Sequence, residues 1–147
     1  MSRQLDLQPV AGTDGDLLAT LQAASLPTDD LTESGRSFFR LMDHGRKVGF
    51  GGLEIYGQLA LLRSVVVVPE HRGHGYGAAV TSLVLDQAIG HGVRTVYLLT
   101  EAATSFFQHL GFARVDRATA PAAILQTRQA ASLCPASAAL LAKTIQG

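Results

Sequence analysis

The turn His71-Arg72-Gly73-His74-Gly75-Tyr76-Gly77 combines glycines at alternate positions with a permanent cation. Glycine allows tight or positive-φ turns and lets backbone come close to a ligand. A helix that opens at such a turn points unpaired N–H groups and the positive end of its dipole outward. The arrangement suits a phosphate or pyrophosphate, and Arg72 can fork onto its oxygens. Arg63 and Glu54 are further chemistry-bearing residues. Arg63 lies in an otherwise apolar stretch, where a charge must be paired or face a cavity. It could grip a carboxylate bidentately or pair with Glu54. Strand alternation places Arg63 and Ser64 on opposite faces, so at most one of them lines a given cleft. Cys134 stands alone, which leaves neither an intrachain disulfide nor a multi-cysteine metal site. The five histidines have no zinc-ligand spacing, and no metal is expected.

Hydrophobic pattern supplies the elements that must position these groups. Leu5 to Leu7 alternates as a first strand. Asp14 or Asp16 can cap a helix through Leu17, Leu18, Leu21 and Ala24. Pro27-Thr28-Asp29-Asp30 opens a polar loop ending near Gly35. Ser37 to Met42 and Lys47 to Ile55 read as strands joined by Asp43-His44-Gly45. Gly49, Gly51 and Gly52 inside the second of these mark a bulge or a close backbone approach. Leu59 to Val68 is a long strand, apolar on both faces at its end, and so central and buried. A helix from Tyr76 or Gly77 to Gly90 follows, with Val80, Leu83, Val84 and Ala88 on its inner face. Arg94 to Thr100 is a strand, Glu101 to Leu110 a short helix, and Phe112 to Val115 a strand. A helix is expected from Ala120-Pro121 to Leu133, stopped by Cys134-Pro135.

The chain has 147 residues, 47% of them hydrophobic, which suits one compact domain spanning residues 1–147. Twelve basic residues balance twelve acidic ones, so nothing points to wholesale nucleic-acid binding. No apolar run is long enough to span a bilayer, and the first residues lack a signal-peptide core, so a cytoplasmic location is expected.

Three phosphate-binding families compete for the glycine turn. A P-loop needs Lys-Ser or Lys-Thr after its last glycine, where Ala78-Ala79 stands. A dinucleotide fingerprint has other glycine spacing and follows the first strand of its unit. The third possibility fits: Arg72-x-x-Gly75-x-Gly77 after a strand resembles the acetyl-CoA pyrophosphate loop of the GNAT N-acetyltransferases. Phe106-Phe107-x-x-Leu110-Gly111-Phe112 resembles a second signature of that family. Longer strings are similar to the ArsN-type branch associated with arsenic resistance. They include Leu26 to Leu31, Val48 to Glu54, Leu61 to Val67, Tyr97 to Thr100, and Ala120-Pro121 through Ala138.

The resemblance implies an α/β (α+β) GNAT acyltransferase fold: a mixed central sheet of about seven strands, helices on both faces, and Ser137 to Ile145 as the last strand. It implies acetyl-CoA as co-substrate and a small-molecule amine as acceptor, such as an arsinothricin- or phosphinothricin-like amino acid. A homodimer is compatible with it. Backbone at Val66, Val67 and Val68 would pair with the pantetheine. The amides of Arg72, Gly73, His74, Gly75, Tyr76, Gly77 and Ala78 would hold the pyrophosphate. Phe107 occupies the position at which many members carry a tyrosine that protonates the leaving thiolate. Glu54, on the strand beside the fourth and after an apolar, glycine-rich run, is the first candidate base. Arg63 and Thr100, the latter at the end of the fifth strand where polar groups often meet the amine, are the other catalytic candidates. Asp29 and Asp30, in the loop over the acceptor, could hold an ammonium, and Arg63 or Arg128 an anionic group. Because Phe107 has no proton to give, a non-catalytic acyl-CoA-binding sensor or interaction module is the alternative reading.

Overall fold

The computed structural model describes residues 3–146. Seven strands form one mixed sheet in the order β1-β2-β3-β4-β5-β7-β6. β1 (Leu5–Val10), β2 (Arg36–Asp43), β3 (Arg46–Tyr56) and β4 (Leu59–Val67) form an antiparallel meander. β1 is the edge strand, which is why it tolerates Pro9. β5 (Thr95–Thr100) runs parallel to β4, and β7 (Ala139–Thr144) pairs antiparallel with both β5 and the short β6 (Ala113–Arg114).

Helices cover both faces. α1 (Gly15–Ala23) is capped by Asp14, whose carboxylate accepts the Leu17 N–H at 2.9 Å. Its Leu17 and Leu21 pack with Phe38, Phe50 and Val66. α2 (Tyr76–Gly90) buries Val80, Val84, Leu85 and Ala88 on the other face, against Phe39, Leu41, Val48 and Leu62. Phe38 and Phe39, one residue apart, serve opposite cores, as strand alternation requires. The β3 glycines allow this packing. A Cβ on Gly49 would lie 2.6 Å from the Val66 carbonyl oxygen, and one on Gly52 would lie 2.8 Å from the Phe38 ring.

Two expectations from sequence change. The first is the continuous late helix. The chain instead forms α4 (Ala122–Leu125) and then a π-turn over Gln129–Leu133. Thr127 lies between them, its hydroxyl donating to the Ile124 carbonyl at 2.7 Å and accepting the Ala130 N–H at 3.2 Å. That side chain competes with the helical ladder. The π register then closes with Cys134 N–H on the Gln129 carbonyl at 2.9 Å. The second is helix α3, which spans only Thr104–His109, because Thr100 accepts the Ala103 N–H and holds the preceding residues in a turn.

Candidate acetyl-transfer cleft

β4 and β5 pair only at Leu59–Thr95, Ala60–Val96 and Leu61–Tyr97. Beyond these residues they diverge. At the divergence β4 bulges: Phe50 faces Val66 but Gly52 faces Arg63. The bulge holds Ser64 at φ +60°, a conformation uncommon for a residue with a side chain. A cleft of about 670 Å³ fills the wedge, with Leu62 to Val65 on one side and Leu98 to Ala103 on the other.

The bulge also breaks strict alternation. Arg63 Nε donates to the Ser64 hydroxyl oxygen at 3.2 Å, and both residues line this cleft, against the opposite-face expectation. Yet the Arg63 guanidinium is fully engaged. It forks onto Asp30 at 2.6 and 2.7 Å and reaches Glu54 at 2.9 Å, with no side-chain exposure at any of the three. Arg36 adds bonds to Asp30 at 3.0 and 2.8 Å. Two carboxylates and two guanidiniums thus neutralise one another in a buried cluster, which ties the loop between α1 and β2 to β3 and β4. Burial works against ionisation of Asp30, but the bonds and charges of Arg63 and Arg36 outweigh it and hold its carboxyl below the usual value. The Tyr56 hydroxyl donates to Glu54. Burial, and then that carboxylate, push the phenol up to about 12, so it stays neutral.

The cluster corrects several sequence expectations. Glu54 is 0% exposed, is bound by Arg63 and Tyr56, and does not line the cleft. It is placed as an ion-pair partner and not as a base. Arg63 is consumed by Asp30 and Glu54 and has no fork left for a substrate anion. Asp30 is inside the same cluster, so of the two aspartates only Asp29 lines the cleft. Arg128 is exposed and paired with Glu33, away from the cleft lining.

Other residues do meet there. Thr100 lines the cleft, although its hydroxyl oxygen is occupied as a cap. Phe107 lines it at 8% exposure, edge-on to Phe106 and Phe112, and offers no proton. Glu101, just beyond β5, also lines it; sequence reading had passed over this carboxylate. Cys134 lines the cleft too, but burial pushes its thiol up, which keeps it protonated.

At the far end of β4 the chain enters the glycine turn. Gly73 and Gly75 have φ of +82° and +79°, and Gly75 caps α2. Among the described residues, none of the amides from Gly73 to Ala78 donates to a protein acceptor. This row of free donors at the start of a 15-residue helix fits a pyrophosphate. Arg72 is exposed beside it, its own amide on the Pro69 carbonyl at 3.4 Å. Val68 departs from expectation: its N–H donates to Val48 and its carbonyl accepts from His71, both at 2.9 Å. Val66 and Val67 pair with Phe50 and Gly49 of β3 on one side and lie past the last β4–β5 pair on the other.

The turn is braced from places that sequence spacing did not indicate. The Arg3 guanidinium donates to the His74 carbonyl and lies 4.6 Å from the Tyr76 ring centre. The Asp43 carboxylate accepts the Tyr76 hydroxyl at 2.5 Å and the Gln4 N–H at 2.9 Å. The Tyr76 bond is the main cause holding Asp43 below its usual value.

Comparison with known proteins agrees with this geometry. Residues 8–112 match the sequence model of the Acetyltransferase (GNAT) family. An amino-acid acetyltransferase of Mycobacterium tuberculosis is 34% identical over 74 residues, which is 50% of this chain and 42% of that protein. The chain therefore spans less than half the length of that relative. N-acetylglutamate synthase from Neisseria gonorrhoeae, solved with coenzyme A and N-acetyl-glutamate, superposes with a TM-score of 0.80 at 16% identity. The match covers 100% of this chain and 36% of that one. Rv2747 from Mycobacterium tuberculosis, solved with CoA and NLQ, gives 0.74 at 18% identity over 95% of this chain and 99% of that one. The ribosomal-protein-S18-alanine N-acetyltransferase of Escherichia coli gives 0.71 at 19%, over 98% and 96%. At these identities the structural likeness concerns the fold. The matched length, the diverging strands and the free-amide turn together show that this chain belongs to the GNAT acetyltransferase family.

Proposed function

We propose that this protein is an acetyl-CoA-dependent N-acetyltransferase whose acceptor is the amino group of a small amino acid. The observation that carries this reading is the continuous path from the free amides of Gly73 to Ala78, along β4, into the wedge lined by Asp29 and Glu101. The turn holds the pyrophosphate, and the β4 backbone around Val66 and Val67, paired with β3 but past the last β4–β5 pair, holds the pantetheine on its open side. Bound acetyl-CoA supplies the acetyl group as a thioester: a C–N bond forms, the C–S bond breaks, one amine proton leaves and the thiolate departs. The two exposed carboxylates at the wedge divide the remaining work. Asp29 attracts the ammonium, and Glu101, directly or through water, accepts its proton. Backbone N–H groups left free where β4 leaves β5 polarise the thioester carbonyl. With Phe107 at the cleft, no phenol assists the thiolate.

The relative named as an amino-acid acetyltransferase supports an amino-acid acceptor. Similarity of the longer strings to the ArsN-type branch makes arsinothricin- and phosphinothricin-like amino acids the first candidates within that class. Phe107 favours the second reading, a module that binds acyl-CoA without turning it over.

The test is thiol release from acetyl-CoA against arsinothricin, phosphinothricin, ordinary amino acids and polyamines, with acetyl-CoA binding measured in the same samples. Release is expected with an amino acid. Glu101→Gln should lower kcat by about 10²-fold or more, the usual worth of a positioned base, and leave the KM for acetyl-CoA unchanged. Binding without release for any acceptor would favour the second reading.

A further inference from the structure

Gln129 lines the cleft, is 3% exposed, and spends its side-chain amide on no other side chain or backbone group among the described residues. The amide is open to the cleft, since the fully buried side-chain polar atom without a partner among the described residues is Arg40 Nε, and a ligand group there would take the place of water. The residue opens the π-turn Gln129–Leu133, and single π-turns recur at functional sites. Thr127 by contrast is 4% exposed and satisfied twice over by backbone. The adjacent structure thus provides for its own polar groups and leaves this one open.

Ser64 is the second open group on the same cleft. Its oxygen accepts Arg63 Nε, which leaves the O–H free to donate outward and strengthens it as a donor. Backbone strain at φ +60° is maintained to place that hydroxyl at the bulge. The guanidinium cannot reach a ligand itself, since Asp30 and Glu54 hold it. The cleft therefore offers carboxylates, Asp29 and Glu101, for a cation, and neutral donors, Gln129 and Ser64, for the complementary end of the acceptor.

We propose that Gln129 and Ser64 bind the carboxylate of the acceptor, and so make the enzyme select amino acids over simple amines. This rests on the acetyltransferase reading above. A site built to hydrogen-bond a substrate group discriminates strongly against analogues that lack it.

The experiment compares kcat/KM for the best amino-acid acceptor with kcat/KM for its decarboxylated amine, in wild type, Gln129→Leu and Ser64→Gly. Leucine removes the amide at similar size. Glycine removes the hydroxyl and accepts the positive φ without strain. Wild type is expected to prefer the amino acid. Each variant should reduce that preference by about tenfold to a hundredfold, the worth of a hydrogen bond to a charged group. The rate with the plain amine, the KM for acetyl-CoA and the melting temperature should hold. Equal loss for both acceptors, an unchanged preference, or a lowered melting temperature in both variants would overturn the assignment. Wild-type transfer to simple amines but not to amino acids would overturn it and leave the acetyltransferase standing. No transfer to any amine would overturn both.

Discussion

Asp30 makes bidentate contact with Arg63 across 33 residues of sequence and takes two further bonds from Arg36. Its value in the folded protein is below the ordinary 3.8. A carboxylate so lowered contributes stability that is complete above its unfolded value and is lost as pH falls through the folded one. Wild type should therefore lose stability below about pH 4 more steeply than Asp30→Asn, in which this linkage is gone. At neutral pH the same variant leaves a buried guanidinium short of charge and should cost about 3 kcal/mol or more, read from urea unfolding at both pH values. Arg63 shows why residue type alone was ambiguous. A charge inside an apolar strand needs a partner or a cavity, yet nothing in its spacing points to Asp30. The bulge at Ser64, which put both residues on one cleft, was equally hidden, because a period-two pattern assumes an unbroken register.

Elements with strong local signals were legible: the β3 and β4 strands, the glycine turn and α2 follow from periodicity and glycine placement. The late helix was not, because a single hydroxyl, that of Thr127, diverts the backbone and apolar periodicity does not register it. The braces on the turn were invisible for a different reason. Arg3 and His74 lie 71 residues apart and meet only because β1 and the β2–β3 turn fold back to the start of α2. Glycines inside β3 mark close backbone approaches, and Gly49 is the sharpest case. Its hypothetical Cβ meets a backbone oxygen of β4 that has no rotamer by which to retreat. Gly49→Ala should destabilise the protein by about 1–3 kcal/mol through forced separation of β3 from β4. Chemical denaturation checks this, and an unchanged midpoint would show that the strands yield freely.

Across the whole molecule, a sheet that is continuous at one end and divided at the other puts a turn of free amides and a cleft lined by Asp29 and Glu101 on a single path. The family, the mixed seven-stranded sheet and the glycine turn after β4 could be read in the sequence. Of the cleft residues proposed to meet the acceptor, Asp29 was a sequence candidate; Glu101 and Gln129 were not, since they come to the cleft from separate segments. The central claim is that this path delivers acetyl to an amino acid. Gly75 tests it with no change of charge: its φ of +79° excludes a β-branched residue, so Gly75→Val must reshape the row of amides. The most direct measurement is mass-spectrometric detection of N-acetylated amino acid after incubation with acetyl-CoA, for wild type beside folded Gly75→Val. Product is expected from wild type and none from the variant. Equal product from both, or wild type that binds acetyl-CoA and acetylates no amino acid, would contradict it.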